Sequence, residues 1–107
     1  ASIYDAYHPA ILRLIDMVVA AAHEHGVWVG VCGMMASDPW TACLLLGLGL
    51  DELSMSPIDI PEVKRTIRSM RRSDLSDLAQ EVLSLSSSHE IHEYVKARLT
   101  QEDIHIP

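Results

Sequence analysis

The chain has 107 residues, enough for one domain and too few for a multidomain enzyme acting alone. At 49% hydrophobic and 21% charged it can fill a core and is not a disordered segment; with no Phe, that core must come from Leu, Ile, Val, Met and Ala. Eight Lys and Arg against fifteen Asp and Glu leave a net charge of −7, which argues against nucleic acid as a partner.

Pro9 opens the first helical pattern, since a helix needs no N–H at its first position. Ile11, Ile15, Val18 and Ala22 recur on one face, flanked by Leu12, Leu14 and Val19, with Arg13, Asp16, Ala20 and Glu24 opposite. Gly26 stops this helix, with His23 and His25 in its last turn. Val27 to Cys32 is β-rich and apolar on both faces, which predicts a strand buried within a parallel sheet. Gly33 to Ser37 reads as a loop. Asp38-Pro39 then reads as the cap and first turn of a helix to about Leu46, ended by Gly47 and Gly49. Asp51 to Ser56 is a second short strand, stopped by Pro57. A third helix begins near Pro61 and carries Val63, Ile67 and Met70. Arg68, Arg71 and Arg72 fall at its end, where positive charge complements the helix dipole. Ser73 starts a fourth helix on Leu75, Leu78, Ala79 and Val82, followed by a polar loop from Ser84 to Ser88. Ser87 and Glu90 have capping-box spacing, and Ile91, Tyr94, Val95 and Leu99 mark a last helix before a tail from Gln101 to Pro107.

A helix followed by strand, helix, strand, helix contains the unit of parallel α/β folds. Two strands cannot make a covered parallel sheet alone, and a (β/α)₈ barrel needs ~250 residues. The chain is therefore expected to be the C-terminal portion of a barrel, or a small oligomeric α/β module. Ala1 to Tyr7 read as mid-domain sequence, so an excised piece of a longer protein is expected. No stretch reaches the ~18 apolar residues of a membrane span, and Asp5 and His8 interrupt any signal-peptide core. Cys32 and Cys43 do not make a disulfide framework, and a reducing, cytoplasmic setting is the natural expectation.

Cys32 is the leading candidate for chemistry. It ends a predicted strand and is followed by Gly33, and α/β active sites lie at the C-terminal ends of parallel strands. Gly30 and Gly33 leave room for a ligand near the backbone. An ordinary thiol, with a pKa of ~8.5, is mostly protonated at neutral pH. Such a thiol can protonate a carbanion or enolate, or act as a nucleophile where a base or a positive dipole lowers its pKa; the plain alternative is a small buried hydrophobe. Cys43, mid-helix, reads as packing. Met34 and Met35 are placed to line an apolar wall or to fill a core gap. The six histidines do not have metal-ligand spacing: His23 and His25 point to different faces, and His89 and His92 read as solvated residues at the start of a surface helix. Asp51 and Glu52 read as solvated. No phosphate-binding glycine motif is present, Gly47 and Gly49 belonging to a helix-to-strand turn.

Around Cys32 the sequence meets a known pattern. Val31-Cys32-Gly33-Met34-Met35-Ala36-Ser37-Asp38-Pro39 resembles the Cys-Gly-Glu-Met-Ala-Gly-Asp signature of the phosphoenolpyruvate-utilising enzymes. Leu46-Gly47-Leu48-Gly49-Leu50-Asp51-Glu52-Leu53-Ser54-Met55-Ser56 is similar to the next strand of Enzyme I, the phosphoenolpyruvate-protein phosphotransferase family of bacterial sugar uptake. His8 to Ile15 and Ile60 to Lys64 follow the same family pattern, so the resemblance runs from about Tyr4 to Leu99. The related dikinases share the Cys-Gly turn but usually not the Asp-Glu-x-Ser-Met-Ser strand.

The resemblance implies that residues 1–107 are the C-terminal part of a phosphoenolpyruvate-binding (β/α)₈ (TIM) barrel. It implies transfer of the phosphoryl group of phosphoenolpyruvate to a histidine on another domain, then to the carrier protein HPr, with release of pyruvate. It assigns Cys32 the role of proton donor to C3 of the enolpyruvate left behind, and Gly33 a place beside the substrate. It also implies Mg²⁺ as cofactor. The magnesium-binding Glu and Asp, the substrate-clamping arginines and the phosphohistidine would all precede Ala1, leaving no metal ligands and an inactive fragment. The family dimerises through this domain, so a homo-oligomer is expected. Two positions depart from the signature: Met34 stands where the family has Glu, and Ser37 where it has Gly. The alternatives are a non-catalytic interaction module derived from such a barrel, or the C-terminal part of a pyruvate phosphate dikinase-like or phosphoenolpyruvate synthase-like enzyme.

Overall fold

The computed structural model describes residues 7–32, 36 and 38–101. The first helix, α1, spans Pro9–Glu24, and the His8 Nδ1 caps it by accepting the Ala10 N–H at 3.1 Å. Its end is a Schellman motif: Gly26, at φ 70°, lets the Val27 N–H reach the Ala22 carbonyl and its own N–H reach that of His23. The face that enters the core is carried by Leu12 and Val19, with Ile15 partly buried beside them. This face is rotated from the expected one. Val18 is 50% exposed, and Leu14 and Met17 are 59% and 66% exposed, so α1 presents a second apolar face to solvent. Arg13, expected on the solvent side, donates to the Leu85 carbonyl at 3.1 Å and ties α1 to a loop far along the chain.

Strand β1 (Gly30–Cys32) and strand β2 (Glu52–Ser54) pair in parallel, with Gly30 opposite Glu52, Val31 opposite Leu53 and Cys32 opposite Ser54. Both are shorter than the sequence suggested. The expectation that β1 is buried on both faces is also corrected. Val29, Val31 and Leu53 pack against the core, while Gly30, Cys32, Glu52 and Ser54 are exposed on the other face. The apolar run through Trp28 concealed this alternation, because Trp28 itself is 66% exposed.

Between the strands runs α2 (Pro39–Gly47), the hub of the fold. Asp38 caps it as expected, its Oδ2 accepting the Thr41 N–H at 2.9 Å and the Thr41 hydroxyl at 2.8 Å. Ala42, Cys43, Leu44 and Leu45 are fully buried, so α2 is enclosed on all sides instead of amphipathic. It is wrapped by α3 (Ile60–Arg68), α4 (Arg72–Leu83) and α5 (Ser88–Gln101), and burial pushes the Cys43 thiol up to about 12, with Asp38 adding to it. A second Schellman turn closes α2, with Gly49 at φ 104° and the Leu50 N–H on the Leu45 carbonyl.

The terminal helices bury Leu75, Leu78, Ala79 and Val82 from α4 and Ile91, Val95 and Leu99 from α5, as their spacing predicted. Ser87 accepts the Glu90 N–H at 3.2 Å, one half of the expected capping box; its hydroxyl donates to Glu90 Oε1 at 3.2 Å in place of the reciprocal backbone bond. Arg68 lies in the last turn of α3, where positive charge suits the helix dipole, but Arg71 and Arg72 are the cap and first residue of α4. The dipole reading of those two is therefore corrected. Among the described residues the architecture is α/β, with two parallel strands and five helices.

Candidate active site

Cys32 is the last residue of β1, and its position follows from the period of two along the strand. With Val31 turned to the helices, Gly30 and Cys32 share the uncovered face, beside Glu52 and Ser54 of β2. Together with Trp28 these residues line a shallow groove of about 240 Å³. Gly30 keeps the groove open: a Cβ at this position would lie 3.2 Å from the Trp28 ring and 3.3 Å from the Glu52 Cβ, so these neighbours would have to give by a few tenths of an ångström. The glycine thus lets the indole lie against the strand as one wall of the groove. Glu52 and Ser54 touch weakly, the hydroxyl donating to Oε1 at 3.5 Å. The Cys32 thiol is free and exposed, at the C-terminal end of a parallel strand, where a reagent can reach it. Gly33, the expected substrate-side residue, lies outside the described residues, as do Met34, Met35 and Ser37.

At the opposite end of the sheet, sequence reasoning missed a polar junction. Asp51 Oδ2 receives His23 Nε2 at 2.7 Å and the Val29 N–H at 2.8 Å, while the Asp51 N–H donates to the Val29 carbonyl at 2.8 Å. Asp51 is therefore not simply solvated. It fastens the end of α1 to the starts of both strands across 28 residues of sequence, and no local motif marks such a contact. The hydrogen bond from His23, then that from Val29, holds its carboxyl below the ordinary carboxylate value. A carboxyl that titrates lower in the folded chain contributes stability above its unfolded pKa of ~3.9 and loses it as pH falls through the folded value. Wild type should therefore lose stability faster than Asp51→Asn as pH drops below about 4, read as urea midpoints. Parallel pH curves for the two would show that the carboxylate contributes nothing.

His92 is half solvated, its side chain 45% exposed. Its ring meets Tyr7 edge-on at 5.2 Å between centroids and Trp40 at 6.0 Å. Among the described residues no group of three or more His, Cys, Asp or Glu could hold a metal ion, and no helix is long and apolar enough to cross a membrane.

A family model described as PEP-utilising enzyme, PEP-binding domain, matches residues 1–72. Among curated proteins, the chain is 47% identical over 95 residues to the phosphoenolpyruvate-protein phosphotransferase of Priestia megaterium, covering 89% of this chain and 17% of that protein. It is 44% identical over 94 residues to that of Staphylococcus carnosus, covering 88% and 16%, and 45% identical over 89 residues to that of Buchnera aphidicola, covering 83% and 16%. The chain thus spans about one sixth of the length of these relatives.

Proposed function

The chain belongs to the PEP-utilising enzymes, through their PEP-binding domain, and we propose that it is the proton-donating part of a phosphoenolpyruvate-protein phosphotransferase. The observation that carries this is the exposed Cys32 thiol at the C-terminal end of β1, on the face of the strand pair opposite Val31 and Leu53, which pack on the core. In that reaction the phosphoryl group leaves phosphoenolpyruvate for a histidine elsewhere in the longer protein, and then passes to HPr. The remaining enolpyruvate must gain a proton at C3. The Cys32 S–H supplies it, the C–C double bond electrons take the proton, the enolate oxygen becomes the ketone of pyruvate, and the thiolate is reprotonated from solvent.

The uncovered face of the β1–β2 pair becomes the interior of a (β/α)₈ barrel once further strands close around it. On this reading Trp28, Glu52 and Ser54 line the interior beside the thiol, with Gly33 next to the substrate. The parallel pairing and the packing of the helices against Val31 and Leu53 support that arrangement. Magnesium, implied by the family, does not fit the donor set of the described residues, so no step of this chain runs through it. The chain alone would be inactive, and the cytoplasm is its proposed compartment. Pyruvate release from phosphoenolpyruvate by the longer protein, compared between wild type and Cys32→Ala, tests the reading; an undiminished rate in the variant refutes it.

The isolated chain should also self-associate. Leu14, Met17 and Val18 make an apolar strip along α1, and the open sheet adds Trp28. Apolar patches and unpaired strand edges recruit partners. Sedimentation equilibrium at micromolar concentration should give a dimer or larger; a cooperatively folded monomer would show that these faces are stable in water.

A further inference from the structure

A cavity larger than the groove at Cys32 lies away from it, at the N-terminal end of β2. It holds about 580 Å³, between the end of α1, the turn from α2 to β2, the end of α3 and the first turns of α4. That volume is in the range of small-molecule sites. One side is apolar, built by Leu50, Ile67 and Met70, and the polar side carries His23, Asp51 and Arg72.

These polar groups are not equivalent. The Asp51 carboxylate already holds His23 Nε2 and the Val29 N–H through Oδ2, which also fixes the imidazole in place. Arg72 meets no carboxylate within 4.0 Å and makes no hydrogen bond among the described residues. Arg68 and Arg71 are exposed next to it in sequence, on a chain whose net charge is −7. Arg72 is thus the one Lys or Arg among the residues that line the cavity, and its guanidinium has no protein counter-ion among the described residues. Guanidinium recognises phosphate and carboxylate in a bidentate manner, and the opposite wall offers apolar surface to whatever carries that anion.

We propose that this cavity binds a small organic anion, a phosphate monoester or carboxylate on an aromatic or branched aliphatic body, with Arg72 taking the anionic group and the Leu50–Ile67–Met70 wall covering the body. The site is separate from the groove at Cys32. It is built for a different ligand, because phosphoenolpyruvate has no apolar body for this wall to cover.

Amide chemical shifts of the ¹⁵N-labelled 107-residue chain, titrated with 1-naphthyl phosphate, 1-naphthol and inorganic phosphate, test the proposal. Naphthyl phosphate should bind saturably, shift the amides of Leu50, Met70, Arg72 and Ser76, and bind about tenfold tighter than naphthol or phosphate alone, the factor expected of one charge-assisted pair. Arg72→Gln should weaken naphthyl phosphate by a similar factor and leave naphthol unchanged, while Arg65→Gln, outside the cavity, should change neither. Equal affinity for naphthol and naphthyl phosphate would reduce the cavity to a general apolar hollow and overturn the proposal. So would an Arg72→Gln variant that binds as wild type does, or shifts confined to the residues around Trp28 and Cys32.

Discussion

Replacing Cys32 by alanine should lower pyruvate formation by the longer phosphotransferase by about 10²- to 10⁴-fold, the contribution typical of a positioned proton donor. The loss should fall unevenly on the two halves of the reaction. Phosphoryl transfer to histidine needs charge neutralisation and alignment, to which a thiol adds little. Protonation at C3 needs a proton held beside the carbon, and alanine holds none. A rapid-quench experiment should therefore find the phosphorylated enzyme forming at nearly the wild-type rate in Cys32→Ala while pyruvate lags and enolpyruvate builds up. Cys43→Ala is the internal control. Its thiol is fully buried in α2 and pushed up to about 12, so it can neither reach substrate nor give a thiolate at neutral pH. That variant loses packing and keeps its rate. Unchanged pyruvate formation in Cys32→Ala would remove this residue from the chemistry, whatever its place on the strand.

Which parts of this arrangement were legible in the sequence depends on whether the governing interaction is local. The starts of α1 and α2 were readable at Pro9 and at Asp38-Pro39, because capping joins residues two or three apart. Gly26 and Gly49 were readable as stops, since each adopts the left-handed conformation that ends a helix. The candidate cysteine was readable too, as the end of a short β-rich run. What surrounds it was not. An apolar run cannot say which of its faces will be covered, and the exposed Trp28 made an open strand look like a buried one. The Asp51–His23 pair joins residues 28 apart, and the contacts of His92 with Tyr7 and Trp40 likewise reach across the fold. Nothing in either neighbourhood sets these residues apart from solvated ones. The arginines misled for a different reason: only Ser69, Met70 and Arg71 separate the end of α3 at Arg68 from the start of α4, so Arg71 is the N-cap of the second helix and Arg72 its first residue, lining the cavity, instead of completing the first helix's dipole.

Gly47 is the position where a single methyl group should do the most damage to the fold. It reads as a helix terminator, yet it is the last helical residue of α2, and the turn is made by Gly49 two residues later. Its reason lies in packing. A Cβ on Gly47 would fall 2.8 Å from the carbonyl carbon of Leu75, closer still to the attached oxygen, and 3.1 Å from the Cβ of Ala79. Those atoms are the backbone of α4 and a residue with no flexible side chain to move aside. Glycine here allows α4 to cross α2 at backbone contact, and that crossing seats Leu78, Ala79 and Val82 in the core. Alanine would ordinarily favour a helix by up to about 1 kcal/mol over glycine. Here it must push two central helices apart, at a cost of about 3 kcal/mol or more. For a domain of this size that lowers the melting temperature by roughly 15 °C. The same displacement would open the cavity beside Arg72, since Gly47 and Leu75 both line it. Gly26→Ala makes the comparison: its Cβ would meet nothing within 4 Å, so only the left-handed backbone at φ 70° resists it, at about 1 kcal/mol. Thermal melts of the two variants should separate clearly, with Gly47→Ala the lower. A Gly47→Ala chain that melts at or above Gly26→Ala would mean that α2 and α4 can part without loss, and that their close crossing is not what holds the core together.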